Sequence, residues 1–160
     1  MTAPRGTIGV PGGAERSHSV LAALHAAPAG DVVVVHDAAR PLVTPELIEE
    51  CLDVLASEGC DGAIAAAPLA DTIKEAEGEV VVRTLDRSRL WAVQTPQVFR
   101  RDALLHALTN APGGLDAATD DASLVEAAGG TVRLVPAPRW NLKVTTREDL
   151  ALADLLLRAR

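Results

Sequence analysis

The sequence predicts an α/β fold of Rossmann-like type, in which a mainly parallel sheet is flanked by helices. Short β-branched runs alternate with helical segments along the chain, as is typical of such folds. The run DVVVVH at residues 31–36 is apolar on both faces, as a strand covered on both sides requires. With 160 residues, 48% of them hydrophobic, the chain has enough apolar mass for one domain over residues 1–160.

Three further strands are predicted to join residues 31–36. Residues 62–67 and 131–135 have the composition of buried strands, and residues 7–10 predict a short first strand. Together these four segments are expected to form the sheet.

A polar segment at residues 72–85 interrupts this alternation. It predicts a hairpin with Glu77 and Gly78 at the turn and three valines after it. Because a two-stranded ribbon is at best marginally stable alone, we expect it to protrude, over about residues 70–90, as a β-hairpin dimerisation arm that packs on another subunit.

The clearest helix begins with Thr44 as N-cap and Pro45 at the first helical position. Its apolar residues share one stripe, formed by Leu47, Ile48, Cys51, Leu52 and Leu55. Four other helices are expected: one opened by Ser17 or Ser19 and running through Leu24, one over residues 101–108, one capped by Thr119 and ending at Gly129 and Gly130, and one over residues 146–158. The last begins with a Thr-x-x-Asp capping arrangement.

Composition argues against several classes of partner. The net charge of -7 disfavours binding to a polyanion. The aromatic content is 2%, without Tyr, so side chains on which nucleic-acid bases could stack are lacking. No stretch approaches the roughly 20 apolar residues of a membrane span, and the amino terminus lacks the apolar run of a signal peptide. We therefore expect a cytoplasmic protein that binds neither nucleic acid nor membrane.

The cysteines and histidines point to no metal centre. Cys51 and Cys60 lack CxxC spacing and are expected to be reduced core thiols. The four histidines form no HxH or HExxH pair, which argues against a protein zinc site.

Two motifs follow predicted strands, where ligands of open α/β sheets bind. The PGG turn at residues 11–13 offers backbone N–H groups to a nucleotide, or is only a tight turn. The HDAARP motif at residues 36–41 contributes Asp37, which can accept hydrogen bonds from hydroxyl groups, and Arg40, which can bind a phosphate through its several N–H donors. Alternatively, the two side chains form a surface ion pair.

Four more polar motifs lie at element ends: residues 86–89, 95–97, 119–121 and 141–145. Each motif alone is ordinary. Thr119 can be explained as a helix cap, and Lys143 as a solvated surface charge.

Taken in order, six motifs resemble the 2-C-methyl-D-erythritol 4-phosphate cytidylyltransferase family of the non-mevalonate isoprenoid pathway. They are PGGAERSHSV, VVVVHDAARPLVTPELI, APLADTIK, DRSRLWAVQTPQVF, TDDASLVEAAG and NLKVTTREDLALA. The resemblance implies transfer of a cytidylyl group from CTP to a polyol phosphate, with Mg²⁺ bound through the nucleotide phosphates and no metal ligands from the protein. It also implies a homodimer.

The resemblance implies roles where residues match. Gly13, Ser19 and Ala38 correspond to nucleotide-binding positions. The substrate-binding positions are Asp37, Arg40, Thr72, Arg87, Thr95, Thr119 and Lys143, of which Arg40 and Lys143 are the implied catalytic residues. In the family, the residues matched by Thr72 and Arg87 reach the substrate of the partner subunit.

The chain departs from the family pattern in two places. Ala14 stands where the family usually has an acidic residue beside the cytidine. The family's N-terminal strand and its glycine-rich loop, which cradles the triphosphate, have no counterpart before Gly6. The 160 residues alone are therefore expected to turn over CTP poorly. Because the sheet would lack one of its inner strands and expose apolar helix faces, we also expect a low melting temperature or aggregation. Two alternatives stay open: a non-catalytic dimeric relative that binds substrate, and a cytidylyltransferase for another polyol phosphate such as ribitol 5-phosphate.

Overall fold

The structure is a computed structural model that describes residues 6–111, 114–115 and 118–160. Its elements are α1 (Arg16–Ala26), β1 (Val32–Val35), α2 (Pro45–Ser57), β2 (Gly62–Pro68), β3 (Lys74–Glu77), β4 (Val80–Thr84), β5 (Trp91–Arg100), α3 (Arg101–Thr109), α4 (Asp121–Ala127), β6 (Val132–Pro136) and α5 (Arg147–Arg158). A 3₁₀ turn at Arg87–Arg89 joins β4 to β5. None of the described helices is long and apolar enough to cross a membrane.

Four strands form one sheet in the order β1, β5, β2, β6. β2 and β6 are parallel, whereas β5 runs antiparallel to both of its neighbours. The predicted helix-flanked sheet is confirmed. It is mixed, because β1, β2 and β6 point one way and β5 points the other.

The central strand β5 is the element that the sequence did not predict. Residues 95–97 were expected to lie in a loop at the end of an element. Pro96 cannot donate to a strand ladder, and proline is normally found at strand edges. The ladder between β2 and β5 changes register between Ile64 and Ala66, opposite the stretch that contains Pro96. The missing N–H therefore falls where pairing is already irregular.

Helices cover both faces of the sheet. On one face α2 contributes Leu47, Cys51 and Leu55 to a core shared with β2, β5 and β6. On the other face α1, α3 and α4 pack around Phe99 of β5. Cys51 and Cys60 are buried free thiols, as predicted, and burial, with a smaller effect of the neighbouring glutamate, raises the pKa of Cys51 to about 12.

β1 is less covered than its sequence indicated. It pairs only with β5 among the described strands, and Val32 and Val34 remain 43% and 41% exposed. An open groove of about 470 Å³ lies between this strand and α1. The expectation of burial on both faces is wrong here because β1 is an edge strand of the described sheet.

Some local predictions hold and others do not. Thr44 caps α2, and the capping box that begins α5 is present. The strand predicted at residues 7–10 does not form, and none of the described strands pairs with these residues.

The first helix begins at Arg16 after Glu15, so Ser17 and Ser19 lie inside it. Asp120, not Thr119, caps α4, and it does so through a capping box with Ser123.

The predicted hairpin is formed by β3 and β4. The two strands pair with each other in a separate sheet, and Gly78 adopts the positive φ of +59° that the turn needs. All residues of both strands are exposed, and Val80 is 72% exposed. The ribbon therefore protrudes with an uncovered row of valines.

Candidate active site

The strands β1, β2 and β6 end at the edge of the sheet where β5 begins, and polar segments converge there. They line a pocket of about 440 Å³. Five predicted site residues belong to its lining: Asp37, Arg40, Thr95, Thr119 and Lys143. Open α/β sheets bind ligands at this edge because loops from several strands meet there.

The Asp37 carboxylate lies among three cations. Its Oδ2 is 3.2 Å from Nζ of Lys143 and 3.6 Å from Nε of Arg40, and its Oδ1 is 3.6 Å from Nε of Arg16. Burial raises the pKa of this carboxyl, but the three cations, with Lys143 first, outweigh that effect and lower it. The carboxylate is therefore ionised at neutral pH and can accept hydrogen bonds from a substrate hydroxyl.

Asn141 positions two of these cations, a role that the sequence analysis missed. This fully buried side chain donates to Oε1 of Gln94 at 2.8 Å and to the carbonyl of Thr95 at 3.0 Å. Its backbone carbonyl accepts from NH1 of Arg40 at 2.9 Å. Asn141 thus ties the segment after β6 to β5 and holds Lys143, two residues further on, beside Asp37.

His36 and Thr95 hold the segment after β1. Nε2 of His36 lies 3.1 Å from the carbonyl of Arg40, so it must carry a proton and donate. The Thr95 hydroxyl accepts from the backbone N–H of Asp37 and lies 3.0 Å from Nδ1 of His36, to which it donates when the imidazole is neutral. Thr95 therefore supports the backbone of Asp37, and its substrate contact stays a prediction. The role of His36 was missed.

The predicted nucleotide residues lie on α1 or beside it. The N–H of Gly13 donates to Oγ of Ser19 at 3.0 Å, which folds the PGG turn back onto the helix. A Cβ at Gly13 would come within 2.2 Å of the His18 Cβ, so only glycine fits this approach. Ser19 and Ala38 line the groove between α1 and β1, next to the polar pocket.

Thr72 and Arg87 lie apart from the other predicted residues. Both stand at the base of the hairpin, where the Arg87 guanidinium donates to the carbonyl of Ala70. Neither belongs to the lining of the polar pocket in the described part of the chain. The structure therefore brings together five of the seven predicted substrate residues.

Arg16 and Asp121 were absent from the predicted site. NH1 of Arg16 donates to Oδ2 of Asp121 at 2.6 Å, and Asp121 is 0% exposed. Burial raises the pKa of the Asp121 carboxyl, and the Arg16 guanidinium opposes that shift. The motif PGGAERSHSV contains Arg16, but a partner 105 residues away leaves no signal in local sequence.

A protein-built metal centre is not found among residues 6–111, 114–115 and 118–160. No three His, Cys, Asp or Glu residues there come together in a way that would hold an ion.

Known proteins with similar sequences and structures identify the family of this chain. The family model for 2-C-methyl-D-erythritol 4-phosphate cytidylyltransferase (IspD) matches residues 3–159. Relatives that bear this enzyme name are 53% identical over 131 residues in Rubrobacter xylanophilus and 45% identical over 150 residues in Bacillus licheniformis. These matches cover 82% and 94% of the chain but only 56% and 64% of the relatives, so the chain spans less than two thirds of their length.

A solved structure agrees with the sequence relatives. The crystal structure of the cytidylyltransferase from Thermus thermophilus superimposes with a TM-score of 0.85 at 37% identity, over 99% of this chain and 78% of that one. With a family model matching nearly every residue and a shared fold, the chain belongs to the 2-C-methyl-D-erythritol 4-phosphate cytidylyltransferase family.

Proposed function

We propose that this chain carries the acceptor site and part of the cytidine site of an enzyme that transfers a cytidylyl group from CTP to 2-C-methyl-D-erythritol 4-phosphate. The products would be 4-diphosphocytidyl-2-C-methyl-D-erythritol and pyrophosphate, in the synthesis of isoprenoid precursors in the cytoplasm. The observation that carries this proposal is the Asp37 carboxylate with Lys143, Arg40 and Arg16 around it at the carboxyl edge of the sheet. Membership of the family supports it.

The reaction needs positioning and charge neutralisation rather than a protein nucleophile. An oxygen of the acceptor phosphate attacks the α-phosphorus of CTP, the bond from that phosphorus to the bridging oxygen breaks, and pyrophosphate leaves with the electron pair. Lys143, a compact charge, is suited to the α-phosphate, and the planar fork of Arg40 to the acceptor phosphate. Asp37 is suited to accept a hydrogen bond from a ribose or substrate hydroxyl.

The residues of the pocket fit a Mg²⁺ ion that arrives with the nucleotide. Asp37 already faces three cations, which makes it a poor direct ligand for a further cation. An ion held by the phosphates of CTP would neutralise charge on the triphosphate. Lys143 and Arg40 then cover the charge on the α-phosphate and on the acceptor phosphate.

The hairpin arm is suited to join two copies of the chain. Val80, Val81 and Val82 are exposed on it. Thr72 and Arg87 stand at its base and do not line the polar pocket of their own chain. We propose that the arm packs on a second copy and carries both residues to the partner's acceptor site. Since the valines would be buried there, Val80→Lys combined with Val82→Lys should convert the dimer to a monomer in sedimentation velocity.

The matched control for the arm is Leu150→Lys, because Leu150 is also exposed but lies on α5. This control should leave the sedimentation coefficient unchanged. Equal sedimentation of the hairpin variant and the unaltered protein would sink the dimer proposal.

Pyrophosphate release tests the activity. The protein, with any residues that precede Met1 in its reading frame, is incubated with CTP, Mg²⁺ and either methylerythritol phosphate or ribitol 5-phosphate. We expect release only when CTP and methylerythritol phosphate are both present, and much slower release from the 160 residues alone. Faster release with ribitol 5-phosphate would replace the proposed acceptor. If calorimetry shows that the acceptor binds, while CTP does not bind and no pyrophosphate is released, the protein is instead a non-catalytic relative.

A further inference from the structure

Arg16 lies where two cavities meet. The polar pocket and the groove between α1 and β1 have two lining residues in common in the described part of the chain, Arg16 and Asp37. The groove holds the nucleotide positions Ser19 and Ala38, and the pocket holds the acceptor positions. If the proposed function holds, donor and acceptor phosphates must meet near this junction.

The Arg16 guanidinium is held in place from both sides. Asp121, at the first position of α4, binds NH1 at 2.6 Å, and Asp37 faces Nε at 3.6 Å. About a third of the side chain, 37%, is still exposed at the junction. The guanidinium is therefore oriented by buried protein while remaining accessible to a ligand.

This arrangement costs stability. Oδ1 of Asp121 is buried without a hydrogen-bond partner in the described part of the chain, and an unpaired buried carboxylate oxygen is unfavourable. Arg16 occupies the first turn of α1, where a cation opposes the helix dipole. The unpaired carboxylate oxygen and the cation in the first turn of α1 both oppose folding, and a role of Arg16 at the reaction site explains why they are tolerated.

We propose that Arg16, positioned by Asp121, is a further catalytic residue of the cytidylyl transfer. Its guanidinium faces the α-phosphate of the nucleotide and the acceptor phosphate at the junction, and stabilises the negative charge that develops as the new P–O bond forms. This inference rests on the proposed function, and adds to it a cation that the sequence motifs did not assign.

Three substitutions in the full reading frame test this role. Arg16→Gln should lower kcat about a hundredfold, because one donor aimed at developing charge is removed. The KM values for CTP and the acceptor should change by less than about threefold, as expected for an interaction made mainly in the transition state. Arg16→Lys should recover part of the loss, since it keeps the charge but not the fork.

Asp121→Asn, the third substitution, separates positioning from folding. It should lower kcat by about tenfold, because Arg16 loses the carboxylate that orients it. Its melting temperature should be unchanged or higher, because the raised pKa of Asp121 means that its ionisation costs folding free energy above the ordinary pKa. The matched control is Arg133→Gln, which breaks an exposed pair of 3.0 Å between Arg133 of β6 and Glu58 at the end of α2 and should leave kcat unchanged.

The outcomes distinguish this inference from the proposed function. If the unaltered protein turns over and Arg16→Gln retains kcat within about threefold, Arg16 has no such role while the function stands. If Arg16→Gln and Arg16→Lys lose activity only in proportion to a lowered melting temperature, the residue is structural. If the unaltered protein releases no pyrophosphate with any acceptor, the proposed function is wrong, and the catalytic role of Arg16, which rests on that function, is overturned with it.

Discussion

Replacing Lys143 with glutamine is expected to lower kcat for cytidylyl transfer by about a hundredfold to a thousandfold, the usual effect of removing one group aimed at developing charge. Nζ of Lys143 lies 3.2 Å from Asp37, and the segment that carries it is fixed by buried Asn141. The ammonium group is thus positioned before substrate arrives. Steady-state kinetics with CTP and methylerythritol phosphate measures the effect.

The other lysine of the chain provides the control. Lys74 lies on the hairpin, where it donates to Oγ1 of Thr84, and Lys74→Gln should leave kcat unchanged. A rise in KM with unchanged kcat in Lys143→Gln would show that Lys143 only binds substrate. Equal losses in the two variants would remove Lys143 from the mechanism.

Phe99→Ala is expected to give the largest loss of stability, about 3–5 kcal/mol of the free energy of unfolding. The ring is fully buried on β5 at the centre of the core that joins the sheet to α1, α3 and α4. A Cβ at Gly62 would lie 2.7 Å from the ring, so β2 leaves room for Phe99 only because it has glycine there. Urea unfolding measures the change.

Gly62→Ala provides a matched test of the same contact from the opposite side. It should cost about 1–3 kcal/mol through overpacking rather than through a cavity. If Phe99→Ala costs less than Gly62→Ala, the ring is not the centre of this core.

Local signals predicted the helices better than the sheet. Thr44 with Pro45 and Thr146 with Asp149 are capping patterns complete within four residues, and both begin helices in the structure. β5 was missed because Pro96 argues against a central strand unless the partner's register is known. The exposure of β1 was missed because strand order is set by contacts far apart in sequence.

The candidate site was predicted in part for the same reason. Family motifs supplied Asp37, Arg40 and Lys143, and the fold gathers them in one pocket. The supporting contacts of Asn141 and the pairing of Arg16 with Asp121 join segments about a hundred residues apart. No periodicity or spacing reveals such pairs, because each residue alone is an ordinary polar residue at the end of an element.

The central claim is that this site joins the phosphate of a polyol phosphate to the α-phosphate of CTP. A ³¹P NMR spectrum of the protein with CTP, methylerythritol phosphate and Mg²⁺ tests it most directly, because it shows which phosphorus changes its bonds. We expect the phosphomonoester signal of the acceptor to be replaced by the paired signals of a diphosphate diester, with an equal amount of pyrophosphate. Hydrolysis of CTP that leaves the acceptor signal intact, or no change in either substrate, would contradict the account.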